Sequence, residues 1–160
     1  MTMQVGSDPD TGSVVNRATA TPYTANADIT AAIPIDDTIP QVSEGFEILT
    51  ASLTPKTTTN RVRISVSIPQ GSMSGAAVWS AALFVNGAAS AVRAVYATGS
   101  STTVEPIQFE HELVPGAVSS QTYSVRVGPQ AGTLRLNGST IGRIFGGVSA
   151  CTMTVTEFKA

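Results

Sequence analysis

The chain has 160 residues, of which only 12% are charged, and its formal net charge is −2 at pH 7. That length suits one domain, which at this size buries about 70% of its unfolded surface. The low charge excludes the basic field that nucleic acid or an anionic membrane surface requires, so we expect no nucleic-acid partner and no membrane insertion. A small soluble monomer ordinarily carries more surface charge, which favours contact with other protein surfaces.

Residues 1–25 predict an extended N-terminal arm. They mix Gly, Pro, Asp, Ser and Thr with almost no apolar periodicity, which is typical of an extended segment. Such a segment orders when it docks on a partner. The arm has no basic and apolar regions of a signal peptide, so we expect a chain made in the cytoplasm. Residues 26–160 are expected to form the folded domain.

From residue 29 onward the pattern is that of β-strands. A short strand is predicted over residues 29–35, and another over 46–53 with Phe46 and Ile48 facing inward. The clearest alternation lies in residues 61–69, where apolar side chains occupy every second position. Residues 80–96 predict a tight hairpin, because two apolar runs flank the Asn-Gly pair at 86–87.

The second half of the chain continues the same alternation without any helical period. Strands are predicted within residues 106–116, 122–128, 133–138 and 151–158. Eight or nine short strands separated by Gly, Pro and Asn turns indicate an all-β antiparallel sandwich or barrel. A jelly roll is the preferred architecture, because it has eight strands in two sheets.

The triplet Glu110, His111, Glu112 is the first candidate for chemistry. Neighbours in a strand point to opposite faces, so His111 shares no site with the two glutamates. Glu110 and Glu112 share a face that suits a weak divalent cation, but a solvated pair on an outer strand is the favoured interpretation. His111 is expected at a core edge or a subunit contact, hydrogen-bonded rather than acting as a ligand.

The other reactive residue types form no recognisable site. Asp8 and Asp10 precede Gly12 but lack the further ligands of a calcium loop. Cys151 is one cysteine alone, which excludes an internal disulfide, and it is predicted to be a buried hydrophobe. Asn137 begins a glycosylation sequon, which has meaning only in a secretory pathway.

Neither catalysis nor cofactor binding is predicted. The chain has no G-x-S-x-G elbow, no phosphate loop and no dinucleotide fingerprint. Arg143 is equally compatible with an interface contact and a solvated turn. Trp79, Tyr96 and Tyr123 lie on different predicted strands, so no stacking platform is located. We therefore expect no enzyme, no catalytic or cofactor-binding residues, no metal ligands and no cofactor.

Several blocks of residues 23–158 carry a family resemblance. In chain order they read "YTANADITAAIPIDDTIPQVSEGFEILTASLTPKTTTNRVRI", "AALFVNG", "EHELVPG", "TYSVRVGP", "LNGS" and "FGGVSACTMTVTEF". Together they resemble a family of small virion proteins encoded among the structural genes of tailed bacteriophages and prophages. The resemblance implies a trimeric, jelly-roll-like β domain, similar in outline to tumour-necrosis-factor and C1q heads. It carries no catalytic residues across.

The resemblance implies a virion location and a structural role. The chain has no long shaft and no internal repeat, so a homotrimeric short fibre, head fibre, spike or tail-tip component is expected rather than a long tail fibre. Its partners would be its own copies, another virion protein that takes the arm, and a glycan or protein of the host surface. The alternatives are a carbohydrate- or receptor-binding module and a capsid-decorating protein.

Overall fold

A computed structural model describes residues 11–160, which form an antiparallel β-sandwich with a jelly-roll-like topology. The strands are β1 (Val14–Thr19), β2 (Phe46–Leu53), β3 (Arg61–Met73), β4 (Ala77–Val85), β5 (Arg93–Gly99), β6 (Glu105–Leu113), β7 (Gln121–Pro129), β8 (Leu134–Leu136), β9 (Gly138–Ser139), β10 (Gly142–Arg143) and β11 (Thr152–Phe158).

Eight long strands make the two faces of the sandwich. The first sheet has the order β1-β11-β3-β6, with β8 also paired to β3, and the second has the order β2-β7-β4-β5. Each sheet therefore joins early strands to late ones, as the double Greek key of a jelly roll requires. The expected all-β sandwich is confirmed. Within residues 11–160 the structure has no helix long and apolar enough to span a membrane.

The alternation predicted for residues 61–69 places one face of β3 in the core. Val62, Ile64, Val66 and Ile68 are all buried there. In β2 the prediction for Phe46 was wrong, because that side chain is 46% exposed. The pairing of β2 with β7 shifts register between Glu47 and Leu49, and such a bulge changes which residues face inward.

Residues 14–25 differ from the arm that the sequence predicted. β1 pairs with β11 along its length, and Tyr23 forms a further bridge to Cys151. This part of the expected arm therefore belongs to the sandwich. β1 is an edge strand whose two faces are both partly exposed, so it lacks the apolar alternation that marks a half-buried strand. Residues 1–10 of the expected arm lie outside the described residues.

Of the strand predicted over residues 29–35, Ile29 forms an antiparallel bridge to Leu134 of β8, and residues 31–35 begin a covering segment, residues 31–45, that crosses the outer face of the second sheet. Ile33 is fully buried there against Ala82 and Phe84. The covering segment passes close to the backbone of the sheet at Gly128, where a Cβ atom would lie 2.5 Å from the carbonyl oxygen of Ala31. The apolar character of residues 31–35 thus reflects packing onto the face of a sheet.

The predicted hairpin has the expected partner strands but a longer loop. Asn86 and Gly87 both have positive φ, and the N–H of Ala88 donates to the carbonyl oxygen of Val85 at 3.0 Å, as in a tight turn. A two-residue loop would then place residue 90 opposite Leu83, whereas Arg93 occupies that position. The predicted hairpin and its tight turn at Asn86 and Gly87 are therefore confirmed, and the register differs because residues 89–91 leave the ladder to bond the covering segment.

Candidate functional site

The glutamates of β6 are engaged by neighbouring side chains on the outer face of the first sheet. Glu112 contacts the guanidinium groups of Arg61 at 3.1 Å and Arg63 at 3.2 Å. The hydroxyl of Ser65 donates to Glu110 at 2.8 Å. His111 belongs to the inward-facing set of β6, and burial followed by the charge of Arg93 lowers its pKa. Alternation thus separates His111 from both carboxylates.

We expect Glu112→Gln to lower the free energy of unfolding by less than about 1 kcal/mol, because both of its ion pairs are partly exposed. Urea unfolding at low and high salt measures this, and the difference from the natural chain should shrink at high salt. Glu110→Gln, which loses no ion pair, is the matched control. A stabilisation by millimolar calcium that Glu112→Gln abolishes would contradict this ion-paired role.

Asn137 and Cys151 form a buried polar contact beside the segment that follows β1. The Cys151 thiol donates to Oδ1 of Asn137 at 3.7 Å, and the Asn137 amide donates to the carbonyl oxygens of Tyr23 and Ala25. Cys151 is fully buried, as predicted. The Asn137 side chain is fully buried too, so the folded chain does not offer it for glycosylation. Its role is to hold the chain that follows β1.

A polar groove of about 540 Å³ lies on the outer face of the first sheet, across β11, β3 and β6. Its polar groups bond one another, as in the Ser65 to Glu110 bond and a 3.5 Å contact between Gln108 and Ser67. No aromatic ring other than that of Phe109, which is buried, lines it. These two contacts engage four of its polar side chains with one another. The polar groove is lined by Ser65, Val66, Ser67, Gln108, Phe109, Glu110, Thr152 and Thr154.

A second depression, here named the Tyr96 groove, lies between β5 and the covering segment. Tyr96 is 67% exposed on the outward face of β5. On the facing segment, Oδ1 of Asp36 accepts bonds from the backbone N–H and the hydroxyl of Thr38, which lower the pKa of Asp36. The volume is about 160 Å³. The lining residues are Ile33, Pro34, Ile35, Asp36, Thr38, Pro40, Ser80, Ala94, Val95 and Tyr96.

Sequence reasoning missed the Tyr96 groove because its two walls are far apart in the chain. Trp79 and Tyr123 are fully buried, so the three aromatic residues share no platform, but Tyr96 stands exposed by itself. The one available signal was alternation, since Val95 and Ala97 face inward and leave Tyr96 outward. Nothing in the alternation indicates that residues 33–40 lie opposite.

The third feature is an exposed apolar loop, residues 141–148, that precedes β11. Ile141, Phe145 and Val148 are 91%, 73% and 89% exposed. Phe145 has a φ of 55°, in the left-handed region that a bulky residue rarely adopts. Arg143 packs along the loop, where a Cβ atom on Gly147 would lie 2.9 Å from its guanidinium. The loop holds three large apolar side chains in solvent.

Comparison with known proteins gives similarities of fold only. No family model matches the chain, and no curated protein matches it. The dimeric latent PorU of Porphyromonas gingivalis is similar over 99% of this chain and 14% of that one, at 7% identity and a TM-score of 0.41. The CBM22-1 xylan-binding domain of Paenibacillus barcinonensis Xyn10C is similar over 94% of this chain and 98% of that one, at 12% identity and a TM-score of 0.42.

Proposed function

We propose that this protein is a non-catalytic structural protein of a bacteriophage virion, a homotrimeric short fibre or spike. The resemblance of residues 23–158 to small virion proteins supports the location, and a jelly-roll sandwich suits the role. Because β1 belongs to the sandwich, we assign attachment to the particle to the residues that precede Val14. The second partner of the protein, besides the particle, is the host surface.

The observation that carries the homotrimer is the exposed apolar loop. Burying a large apolar side chain stabilises an assembly by about 1.5–3 kcal/mol relative to leaving it exposed. Soluble monomers rarely keep several such side chains together in solvent, and clusters of this kind mark protein interaction sites. Ile141, Phe145 and Val148 all lie in one loop. In a closed trimer each loop would contact a different patch of the neighbouring subunit.

Light scattering of the purified chain at micromolar concentration tests the trimer. We expect a trimeric mass for the natural chain and a monomeric mass for the combined variant Ile141→Ser, Phe145→Asn and Val148→Ser. Asparagine tolerates the left-handed backbone at position 145, so the loop keeps its shape. Val118→Ser, at a 55% exposed valine outside the loop, is the matched control and should remain trimeric.

Three outcomes would each contradict one part of the proposal. A monomeric natural chain would exclude the homotrimer, and a combined variant that stays trimeric would exclude the loop as the contact. Labelling of intact phage particles with an antibody against the chain tests the virion location directly. Particles without label, in a lysate that contains the protein, would exclude it.

A further inference from the structure

The Tyr96 groove combines an aromatic face with a fixed hydrogen-bond acceptor. On the outward face of β5, Tyr96 lies between Ala94 and Thr98, and its partner across the ladder is Ser80. These small neighbours leave the ring uncovered, which agrees with its 67% exposure. The negative face of an aromatic ring attracts polarised C–H groups, and the flat apolar side of a sugar ring presents several of them.

Asp36 supplies the polar half of the site. Its Oδ1 accepts two bonds from Thr38, which hold the carboxylate in one orientation. Its Oδ2 has no hydrogen-bond partner among residues 11–160. Hydroxyl groups of a ligand are natural donors to such an oxygen, because a bond to an ionised acceptor is stronger than one to a neutral acceptor.

The size and charge of the groove narrow the ligand class. Its volume of about 160 Å³ lies below the range of about 300–1,000 Å³ usual for drug-sized ligands, so it suits a single ring. Its one charged lining residue is Asp36, which disfavours phosphates and carboxylates. An adjoining depression of about 270 Å³ continues past Val92 towards Arg93 and leaves room for a second ring.

We propose that the Tyr96 groove binds a neutral sugar ring of a surface glycan, with Tyr96 stacking on the ring and Asp36 accepting its hydroxyl groups. The walls are preformed, because the covering segment is fixed by the burial of Ile33 against the sheet. This inference rests on the proposed attachment role for the source of the glycan, not for the chemistry of the site.

Saturation-transfer NMR of the full chain tests the proposal, with methyl β-glucoside, methyl β-galactoside and methyl β-N-acetylglucosaminide as probes and glucuronic acid as the acidic comparator. We expect transfer to at least one neutral probe and a weaker signal from the acid. Tyr96→Ala should reduce affinity at least tenfold, and Asp36→Asn severalfold. Tyr96→Phe should retain most of the binding, because it keeps the ring.

Gln108→Ala, in the polar groove of the other sheet, is the matched control and should bind as the natural chain does. The proposal is overturned if none of the neutral probes shows transfer, or if Tyr96→Ala binds unchanged. Selective binding of a proline-rich peptide in place of the sugars would also overturn it. Light scattering of the same samples tests the trimer separately from sugar binding. A chain that is trimeric but binds no sugar would overturn the proposed glycan site and leave the proposed trimer standing.

Discussion

Gly128→Ala is expected to lower the free energy of unfolding by about 3 kcal/mol. The added Cβ atom would lie 2.5 Å from the carbonyl oxygen of Ala31 and 2.8 Å from the backbone nitrogen of Ile33. Backbone atoms cannot turn aside as a flexible side chain does, so either the strand or the covering segment must move. Overpacking costs about 1–3 kcal/mol, and any exposure of Ile33 adds to that.

Gly128→Ala should loosen the covering segment locally as well as lower the stability of the whole fold. We expect faster amide hydrogen exchange in residues 31–45 and weaker sugar binding, since Ile33 and Pro34 line the Tyr96 groove. Urea unfolding followed by Trp79 fluorescence measures the stability. Gly75→Ala is the matched control, because a Cβ atom there meets nothing within 4 Å. A Gly128→Ala chain as stable as this control would show that the covering segment does not need the close approach.

Alkaline solution is expected to destabilise the fold strongly between pH 9 and pH 12. Burial raises the pKa of the Cys151 thiol from 9.0 to about 12, and burial followed by the charge of Glu157 raises the pKa of Tyr123 from 10.0 to about 12. Both groups therefore ionise more readily in the unfolded chain. Their contribution is complete below pH 9 and is lost as pH rises to about 12.

The magnitude follows from the proton affinities. Each tenfold difference in proton affinity between the folded and unfolded chain corresponds to about 1.4 kcal/mol. Full ionisation therefore lowers the free energy of unfolding by on the order of 4 kcal/mol through Cys151 and about 3 kcal/mol through Tyr123. Cys151→Ala and Tyr123→Phe should each flatten the curve of stability against pH in this range, whatever their effect at pH 7. Urea midpoints at pH 7, 9, 10 and 11 measure the curve.

Tyr96→Phe is the matched control for the tyrosine variant, because it makes the same substitution at an exposed tyrosine. Curves for Cys151→Ala and Tyr123→Phe that run parallel to that of the natural chain would contradict the expected linkage. The loss of stability at alkaline pH would then arise from other ionisable groups.

How much of the fold the sequence predicts depends on whether a strand has one dry face. β3, β7 and β11 were located correctly because their apolar residues alternate with polar ones and the apolar set is buried. β1 lacks such a buried face, so the sequence shows no apolar alternation that would indicate its pairing with β11. The run at 29–35 was only partly a strand, since Ile29 bridges Leu134 but Ile33 packs onto the second sheet from outside.

The candidate site was less predictable than the fold. Alternation in β5 is enough to place Tyr96 outward, but the second wall of the groove comes from Asp36 and its neighbours, about sixty positions earlier in the chain. Contacts between distant segments depend on tertiary packing rather than on local pattern. The exposure of Ile141, Phe145 and Val148 is equally non-local, because apolar residues in a loop are ordinarily expected to turn inward.

The pairing of β1 with β11 has a mechanical consequence. Val14 lies opposite Phe158, and the N–H of Gly12 donates to the carbonyl oxygen of Lys159 at 2.8 Å, so the chain enters and leaves the sandwich at the same pole. A tension applied through an anchor before β1, along the strand axis, would load this ladder in shear. The hydrogen bonds of the ladder would then share the force instead of breaking one after another.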